Sequence, residues 1–595
     1  MPRTLVFGNG LMLVQIDDRG NIRDLCAPRV GQYNHLNGAA IRLGLWVEDK
    51  FSWLDSDEWS REQSLGPDRA GLSYFECPRL EVRVVLDESI EEAARVFHRD
   101  VRVHDLSGRS REVRLFQTHD LRIAQTDIGD TALYSPQLGG LVHFKENHWF
   151  HFTCTDLWQW ECGYKSWKQF VGTWCDAEDG WLGGKPIEQG SVDSTLSART
   201  VIPAGGSHAF CLSIRYAESF DGLRALDQEG RPSPFGTRLS TQQPFPKSVL
   251  HEDDARSLMV ILSQCDAGGA ILAANDSDIM ETNRAGYNYC WPRDGAHVAS
   301  IMLRAGFPDV AQRFLEFCEK LITPERPYFF QKYNSDGSWG ASWHPWVIEG
   351  EPEMPMQEDE TALVVSLCYE FGDPRFIESI GKPCAAFLAR FVDENGLPRP
   401  SYDLWEERRG IHCNTTAKVI EALRASGYAS EAERMHEAWS EHAWDADNHR
   451  YARMLTPVAH GYTRDMTMDS AMLAYAVLCP NDERWRHTVD QLDHALRVQS
   501  PVGGYARYEH DYYFRQTDAY PGNPWIITSL WFGLYDLACA NHSTLEKAIQ
   551  WTRERMTETG MLAEQYHPET GAPLSVMPLT WSHAEFVGAL LALRG

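Results

Sequence analysis

The feature that most constrains the fold is a change of hydrophobic period near Val249. From Leu5 to about Tyr216, apolar and polar residues alternate, as in Ile41-Arg42-Leu43-Gly44-Leu45-Trp46-Val47 and Leu80-Glu81-Val82-Arg83-Val84-Val85-Leu86. A period of two sends successive side chains to opposite faces of a strand. Short strands of this kind, joined at Asp18-Arg19-Gly20 and Ser107-Gly108, predict a large antiparallel β-sandwich. After Val249 the period becomes 3.6. Helices are predicted near 252–273, 295–305, 308–322, 360–371, 374–393, 415–426, 429–443, 467–478, 482–498, 523–541, 543–557 and 580–593.

The connections between these helices alternate in length. Short links such as Gly306-Phe307, Gly372-Asp373, Ser426-Gly427 and Asn541-His542 alternate with long ones. Antiparallel helices joined in this way carry every long loop at the same end. Six such hairpins closing into a ring make an (α/α)6 barrel, so the chain reads as multidomain β + α. The sandwich is expected over 1–216, a Gly- and Pro-rich linker over 217–249, and the barrel over 250–595. The loops around Tyr287 to Asp294, Trp339 to Asp359, Tyr402 to Gly410, Arg507 to Asn523 and Ala563 to Tyr566 should then converge on one mouth.

At 595 residues the chain is too long for one ordinary core, which agrees with this division. Its formal charge of -28 argues against nucleic acid or an anionic membrane as partner, because both need basic surface. Fourteen cysteines are scattered with no Cys-x-x-Cys pair, which fits neither a zinc site nor a disulfide framework. Buried thiols in a reducing compartment are expected. The first apolar run is broken at Gly8-Asn9-Gly10, too early for a signal peptide, and no run reaches the ~18 apolar residues of a membrane span. These readings predict a cytoplasmic protein.

The richest chemistry lies in Tyr402-Asp403-Leu404-Trp405-Glu406-Glu407-Arg408-Arg409-Gly410. Adjacent carboxylates raise each other's pKa and an aromatic wall desolvates them, so Glu406 or Glu407 could stay protonated near neutral pH, as a general acid must. The alternative is a surface ion-pair cluster with Arg408 and Arg409. A second acidic candidate is Glu564, in Ala563-Glu564-Gln565-Tyr566; taken alone, such a residue is more often a surface carboxylate. A third group is Tyr287-Asn288-Tyr289-Cys290-Trp291-Pro292-Arg293-Asp294. There, an Arg–Asp pair beside aromatics can bind hydroxyls, unless Asp294 only caps its own helix.

These segments, together with Leu579-Thr580-Trp581 and Gly522-Asn523-Pro524-Trp525, resemble the motifs of glycoside hydrolase family 15. Phe51-Ser52-Trp53-Leu54 and Gln189-Gly190-Ser191-Val192-Asp193-Ser194 resemble its bacterial and archaeal branch. The resemblance implies a β-sandwich joined to an (α/α)6 barrel, and an exo-acting, inverting enzyme that releases β-glucose from non-reducing ends of α-glucans or α-gluco-oligosaccharides. It implies that Glu406 is the general acid, Glu564 the general base and Glu407 a neighbour that helps bind the leaving sugar. Tyr287 would help hold the water, Arg293 and Asp294 would grip the terminal glucose, and Trp291 and Trp581 would line the same subsite. Trp405 and Arg507 complete the expected substrate-binding set.

An inverting hydrolase needs its two carboxyl groups about 6.5–9.5 Å apart, with room for a water between base and sugar. Glu407 and Trp405 are expected to raise the pKa of Glu406. No metal or organic cofactor is required, and carbohydrate is the expected partner. Trp339, Trp343 and Trp346 would floor the acceptor side, unless they pack into a core. Gln357-Glu358-Asp359-Glu360 could reach the sugar or simply place acids at a helix N-terminus. Alternatives on the same architecture are an α,α-trehalase and a disaccharide phosphorylase, which would need only one catalytic carboxylate.

Overall fold

The computed structural model describes residues 2–66, 71–165, 171–228, 252–283, 285–348 and 350–594. The chain divides into two compact units, one formed by Met1–Ala267, Asn275–Tyr287 and Thr557–Met561, the other by Gly268–Ala274, Asn288–Met556 and Leu562–Gly595.

The first unit holds two antiparallel sheets of nine strands each. One runs from Arg3–Gly8 at one edge to Leu157–Tyr164 at the other, and the second from Ile187–Gly190 to Ser60–Leu65. Alternation decides which faces turn inward: along Val96–Asp105 the residues Val101 and Val103 are buried while Arg102 and His104 are half-buried. Leu115, Phe116, Phe150, Phe152 and Leu196 fill the interior. The sandwich expected from the period-two stretch is therefore present.

The helix predicted over 252–273 stops at Ser263, ahead of Gly268-Gly269, and packs on strand Arg3–Gly8 of the first unit. The contact requires Gly8, where a Cβ would lie 2.2 Å from the carbonyl oxygen of Ser263. Of the expected linker, Phe220–Gln228 is a helix and 229–249 lie outside the described residues.

The second unit is helical. Its inner helices are α1 (Pro292–Arg304), α2 (Glu358–Phe371), α3 (Cys413–Ala425), α4 (Leu473–Ala476), α5 (Ile526–Ala538) and α6 (Thr580–Arg594). Each packs on the next, and α6 packs on α1, so the six form a closed ring. Helices Pro308–Glu319, Lys382–Leu388, Ala429–His442, Glu483–Leu496 and His542–Arg553 lie against its outside. This is the arrangement of an (α/α) barrel. The sequence distinguishes the layers: α6 is buried without a break from Ser582 to Leu590, as an inner helix must be, whereas Glu483–Leu496 buries only one stripe.

Two further predicted helices depart from their patterns. The 467–478 segment begins only at Ser470, because the Asp469 carboxylate accepts the Ala471 N–H at 2.9 Å and caps the turn. The 374–393 segment is interrupted by a π turn at Ile377–Gly381, just before Pro383, which has no N–H to donate. All fourteen cysteines are free thiols. Among the described residues no helix is long and apolar enough to cross a membrane.

The ring places the chemistry-bearing residues at one level. Arg293 and Asp294 open α1, Gln357 to Glu360 open α2, Glu406 precedes α3, Asp469 precedes α4, Trp525 precedes α5, and Trp581 opens α6. All but Glu406, which lies in the hairpin ahead of α3, stand at or beside helix N-termini, where the backbone dipoles favour negative charge.

Candidate active site

The segment around Glu406 is a hairpin. Strand Ser401–Tyr402 pairs with Arg409–His412, and Gly410 sits opposite Ser401. Within the turn, the Asp403 carboxylate accepts the N–H groups of Glu407 at 2.7 Å and Arg408 at 3.1 Å. The Asp403 carbonyl accepts the N–H of Glu406 at 2.9 Å. These bonds hold Glu406 at φ +62°, a region that non-glycine residues rarely enter.

Glu406 is pinned at both oxygens: Oε1 accepts from Trp291 Nε1 at 2.6 Å and Oε2 accepts from Gln331 Nε2. Burial raises its pKa and the nearby Asp294 adds to the rise; Arg293, Lys332 and the Trp291 N–H oppose it. The neighbouring carboxylate among the main causes is Asp294, where the sequence pointed to Glu407. The turn sends Glu407 elsewhere, where it accepts from Arg507 at 3.1 Å, Tyr508 at 2.5 Å and Arg408 at 2.8 Å. Trp405 Nε1 donates to Asp469 at 3.0 Å. Of the surface cluster with Arg408 and Arg409 only the Glu407–Arg408 pair forms, and it is largely shielded from solvent; Arg409 pairs with Glu353 at 2.9 Å.

Arg293 is the hub of the opposite wall. Its guanidinium lies 3.3 Å from Asp294, 3.4 Å from Asp359, 3.2 Å from Glu360 and 3.8 Å from Glu406. Glu360 also accepts the Arg293 backbone N–H. Burial raises the pKa of both Asp294 and Glu360 against the pull of Arg293. Asp294 is the third residue of α1 and caps nothing; the N-cap is Trp291, with no side-chain bond.

Trp581 lies 6.0 Å from the Arg293 guanidinium and continues into an indole wall, with Trp531 at 5.9 Å and Trp405 6.1 Å beyond that. Glu585, one turn along α6, accepts from Trp581 Nε1 at 3.3 Å and from His297 Nε2 at 2.8 Å. Burial works against its ionised form, but His297 and the N–H donors of Trp531 and Trp581 hold its pKa below the usual carboxylate range.

Arg507 is buried, bonded to Asp511 at 2.8 Å and set 5.0 Å from Trp405 and 4.7 Å from Trp525. Glu564 is 5% exposed, despite the usual fate of a lone loop carboxylate. Its neighbour Gln565 bridges to Trp525 and accepts from Asn523 at 2.7 Å, tying the Glu564 loop to the start of α5. Tyr287 is half-buried and grouped with the first unit. The contacts of Trp291, Arg293, Asp294, Trp405, Glu406, Glu407, Arg507 and Trp581 join them into one constellation within the second unit.

Trp339, Trp343 and Trp346 are 59%, 49% and 53% exposed, which rules out core packing for them. Trp339 and Trp346 stack at 5.7 Å, and Trp343 meets Tyr402 at 4.7 Å, beside the hairpin that carries Glu406. Among the described residues no group of three or more His, Cys, Asp or Glu side chains is placed to hold a metal ion.

The family profile of glycosyl hydrolases family 15 matches residues 255–555, about half of the chain and most of the second unit. The chain belongs to glycoside hydrolase family 15. As a family 15 member it is a glycoside hydrolase of glucoamylase type, exo-acting on α-glucosides. It is 25% identical over 98% of its length to an uncharacterized glycosyl hydrolase of Methanocaldococcus jannaschii, covering 97% of that protein. It is 26% identical to a glucoamylase of a Clostridium species over 52% of this chain and 47% of the relative. It is 23% identical to trehalase 2 of Sulfolobus acidocaldarius, over 60% of this chain and 66% of the relative. The crystal structure of a bacterial glucoamylase complexed with acarbose has the same fold along 100% of this chain and 94% of its own, with a TM-score of 0.79 at 15% identity.

In this family 15 enzyme several residues of the constellation escaped the sequence reading. Lys332 lies 4.9 Å from the Trp291 ring, its pKa lowered by burial, and Gln331 is oriented by Ser342 Oγ at 2.6 Å. Neither stands in a patterned segment. His297 and Glu585 had a usable signal, since each follows a recognised residue, Arg293 or Trp581, by one helical turn.

Proposed function

We propose that this family 15 hydrolase releases β-glucose from the non-reducing ends of α-1,4- or α-1,6-linked gluco-oligosaccharides with inversion. Glu406 is the general acid and Glu564 the general base. The observation that carries this is the state of Glu406: buried enough to raise its pKa, yet held at both oxygens by Trp291 and Gln331. A carboxyl whose hold on a proton is strengthened by burial and which cannot swing away is suited to protonating a glycosidic oxygen.

In the reaction, Glu406 gives its proton to the departing oxygen as the glycosidic bond breaks. Glu564 takes a proton from the water that attacks the anomeric carbon from the opposite face. Arg293 and Asp294 hold the hydroxyls of the terminal glucose against Trp291 and Trp581. Glu407 and Arg507 bind the sugar beside Trp405. The exposed indoles of Trp339, Trp343 and Trp346 support an oligosaccharide leaving group over the single glucose that departs from trehalose. The division into a sandwich over 1–216, a linker over 217–249 and a catalytic domain over 250–595 is part of this proposal. So is a cytoplasmic location, which the fourteen free thiols support.

The test follows the anomer released from maltose, isomaltose, panose and trehalose by NMR, in phosphate-free buffer. Early β-glucose that disappears in Glu406→Gln and Glu564→Gln supports the assignment, and the preferred substrate names the linkage. Early α-glucose, full activity in either variant, or dependence on added phosphate would sink it.

A further inference from the structure

Two side chains at the start of α2 fasten the turn that carries Glu406. Gln357 Nε2 donates to the carbonyl oxygen of Asp403 at 2.6 Å, the same oxygen that accepts the Glu406 N–H. Ser401 Oγ, two residues before Asp403, donates to the Glu358 carboxyl. Gln357, Glu358 and Ser401 are all buried. One backbone oxygen and one hydroxyl thus link a rigid helix start to the hairpin immediately before the acid.

We propose that Gln357 and Glu358 are positioning residues for the general acid, holding the turn at 401–406 so that the Glu406 carboxyl stays aligned with the glycosidic oxygen. This rests on the reading of Glu406 as the acid. The need for such a clasp follows from the backbone: Glu406 sits at φ +62°, a conformation that persists in a non-glycine residue only where its surroundings over-determine it. The Asp403 carboxylate fixes the far side of the turn through the N–H groups of Glu407 and Arg408. The near side is paired with Arg409 and Gly410, and the contacts from α2 add the bonds that tie it to the ring of helices.

Glu358 is chemically suited to the task. Burial, with Asp359 and Glu353 adding to it, pushes its carboxyl up to about 8 against the opposing Ser401 bond. Near neutral pH it is therefore mostly uncharged, and it fastens Ser401 as a neutral group in buried surroundings.

The experiment compares maltose with α-D-glucopyranosyl fluoride. The sugar leaving group of maltose needs a proton from the acid; fluoride departs without one. Gln357→Met and Ser401→Ala break the two links, while Glu358→Gln keeps an uncharged acceptor of the same shape. In Gln357→Met and Ser401→Ala, kcat on maltose falls by about tenfold or more with KM within about twofold, because a displaced acid costs transition-state and not ground-state binding. Turnover of the fluoride stays within about threefold of wild type in both, and Glu358→Gln stays near wild type on both substrates. Equal losses on the two substrates would make the clasp a support of the whole pocket and overturn the proposal, as would no loss on either. Glu406→Gln separates the two layers of the argument. If it keeps maltose turnover, the assignment of the acid itself fails, whatever the clasp variants do.

Discussion

Replacing Arg293 by Met removes the one guanidinium that four carboxylates share, at 3.3, 3.4, 3.2 and 3.8 Å from Asp294, Asp359, Glu360 and Glu406. At these separations and an effective dielectric constant of 20, each contact corresponds to about 4–5 kcal/mol of Coulomb attraction. Most of that is offset by the desolvation of the buried ions. Removing one partner of such a pair costs about 3–5 kcal/mol, because the other charge is left buried and uncompensated. Met fills the space of the arginine stem, so a cavity adds little.

The pH dependence gives the sharper test. Burial already raises the pKa of Asp294, Glu360 and Glu406, and Arg293 opposes the rise in each. Without it all three rise further, so the native variant binds more protons than the native wild type, while the unfolded chains bind the same number. Stability changes with pH in proportion to protons bound in the unfolded state minus those bound in the native state. The variant therefore loses stability more steeply as pH rises, by about 1.4 kcal/mol per pH unit for each extra proton. Urea unfolding of both proteins between pH 6 and 8 should show a deficit of about 3–5 kcal/mol near the upper end that narrows toward the lower. A deficit under about 1 kcal/mol, or one that widens toward acid, would refute the reasoning.

Trp291→Phe keeps the ring but removes the N–H that favours ionised Glu406, so the alkaline limb of kcat/KM on maltose should move to higher pH; a limb that stays in place would count against Glu406 as the acid. Glu585→Gln weakens the acceptor shared by His297 and Trp581, and a lost charge-assisted bond of about 1.5 kcal/mol should raise KM for maltose about tenfold. An unchanged KM would show that the two rings hold their places without it. Gly295→Ala should lower stability by about 1–3 kcal/mol despite the better helix propensity of Ala, because its Cβ would lie 2.3 Å from the buried Phe314 ring. A thermal melt that rises instead would mean that the ring can yield.

Much of this architecture was legible along the chain, because hydrophobic period and loop length are local properties. The alternation in Ile41 to Val47 gives strands wherever they pair, and the unbroken apolar run of α6 can be satisfied only inside a ring. The same alternation of short and long connections set Arg293, Glu406 and Trp581 at one end before any contact was known. Where the pattern overran, a local group ended it: Gly268-Gly269 after Ser263, and the Asp469 cap ahead of α4.

The division of labour between Glu406 and Glu407 could not be read in this way. Their adjacency suggests mutual repulsion, but a turn with Glu406 at φ +62° sends one carboxyl to Trp291 and Gln331 and the other to Arg507 and Tyr508. Gln331 and Lys332 were equally silent, and Gln357 and Glu358 could be read only as sugar contacts or helix-start side chains, since their roles depend on loops that meet only when the ring closes. Periodicity places a residue on a face of its own element. The charge state and aim of a carboxyl depend on groups 46 to 115 positions away in the chain, such as Gln357 from Asp403 and Trp291 from Glu406, which only the closed fold brings within hydrogen-bonding distance.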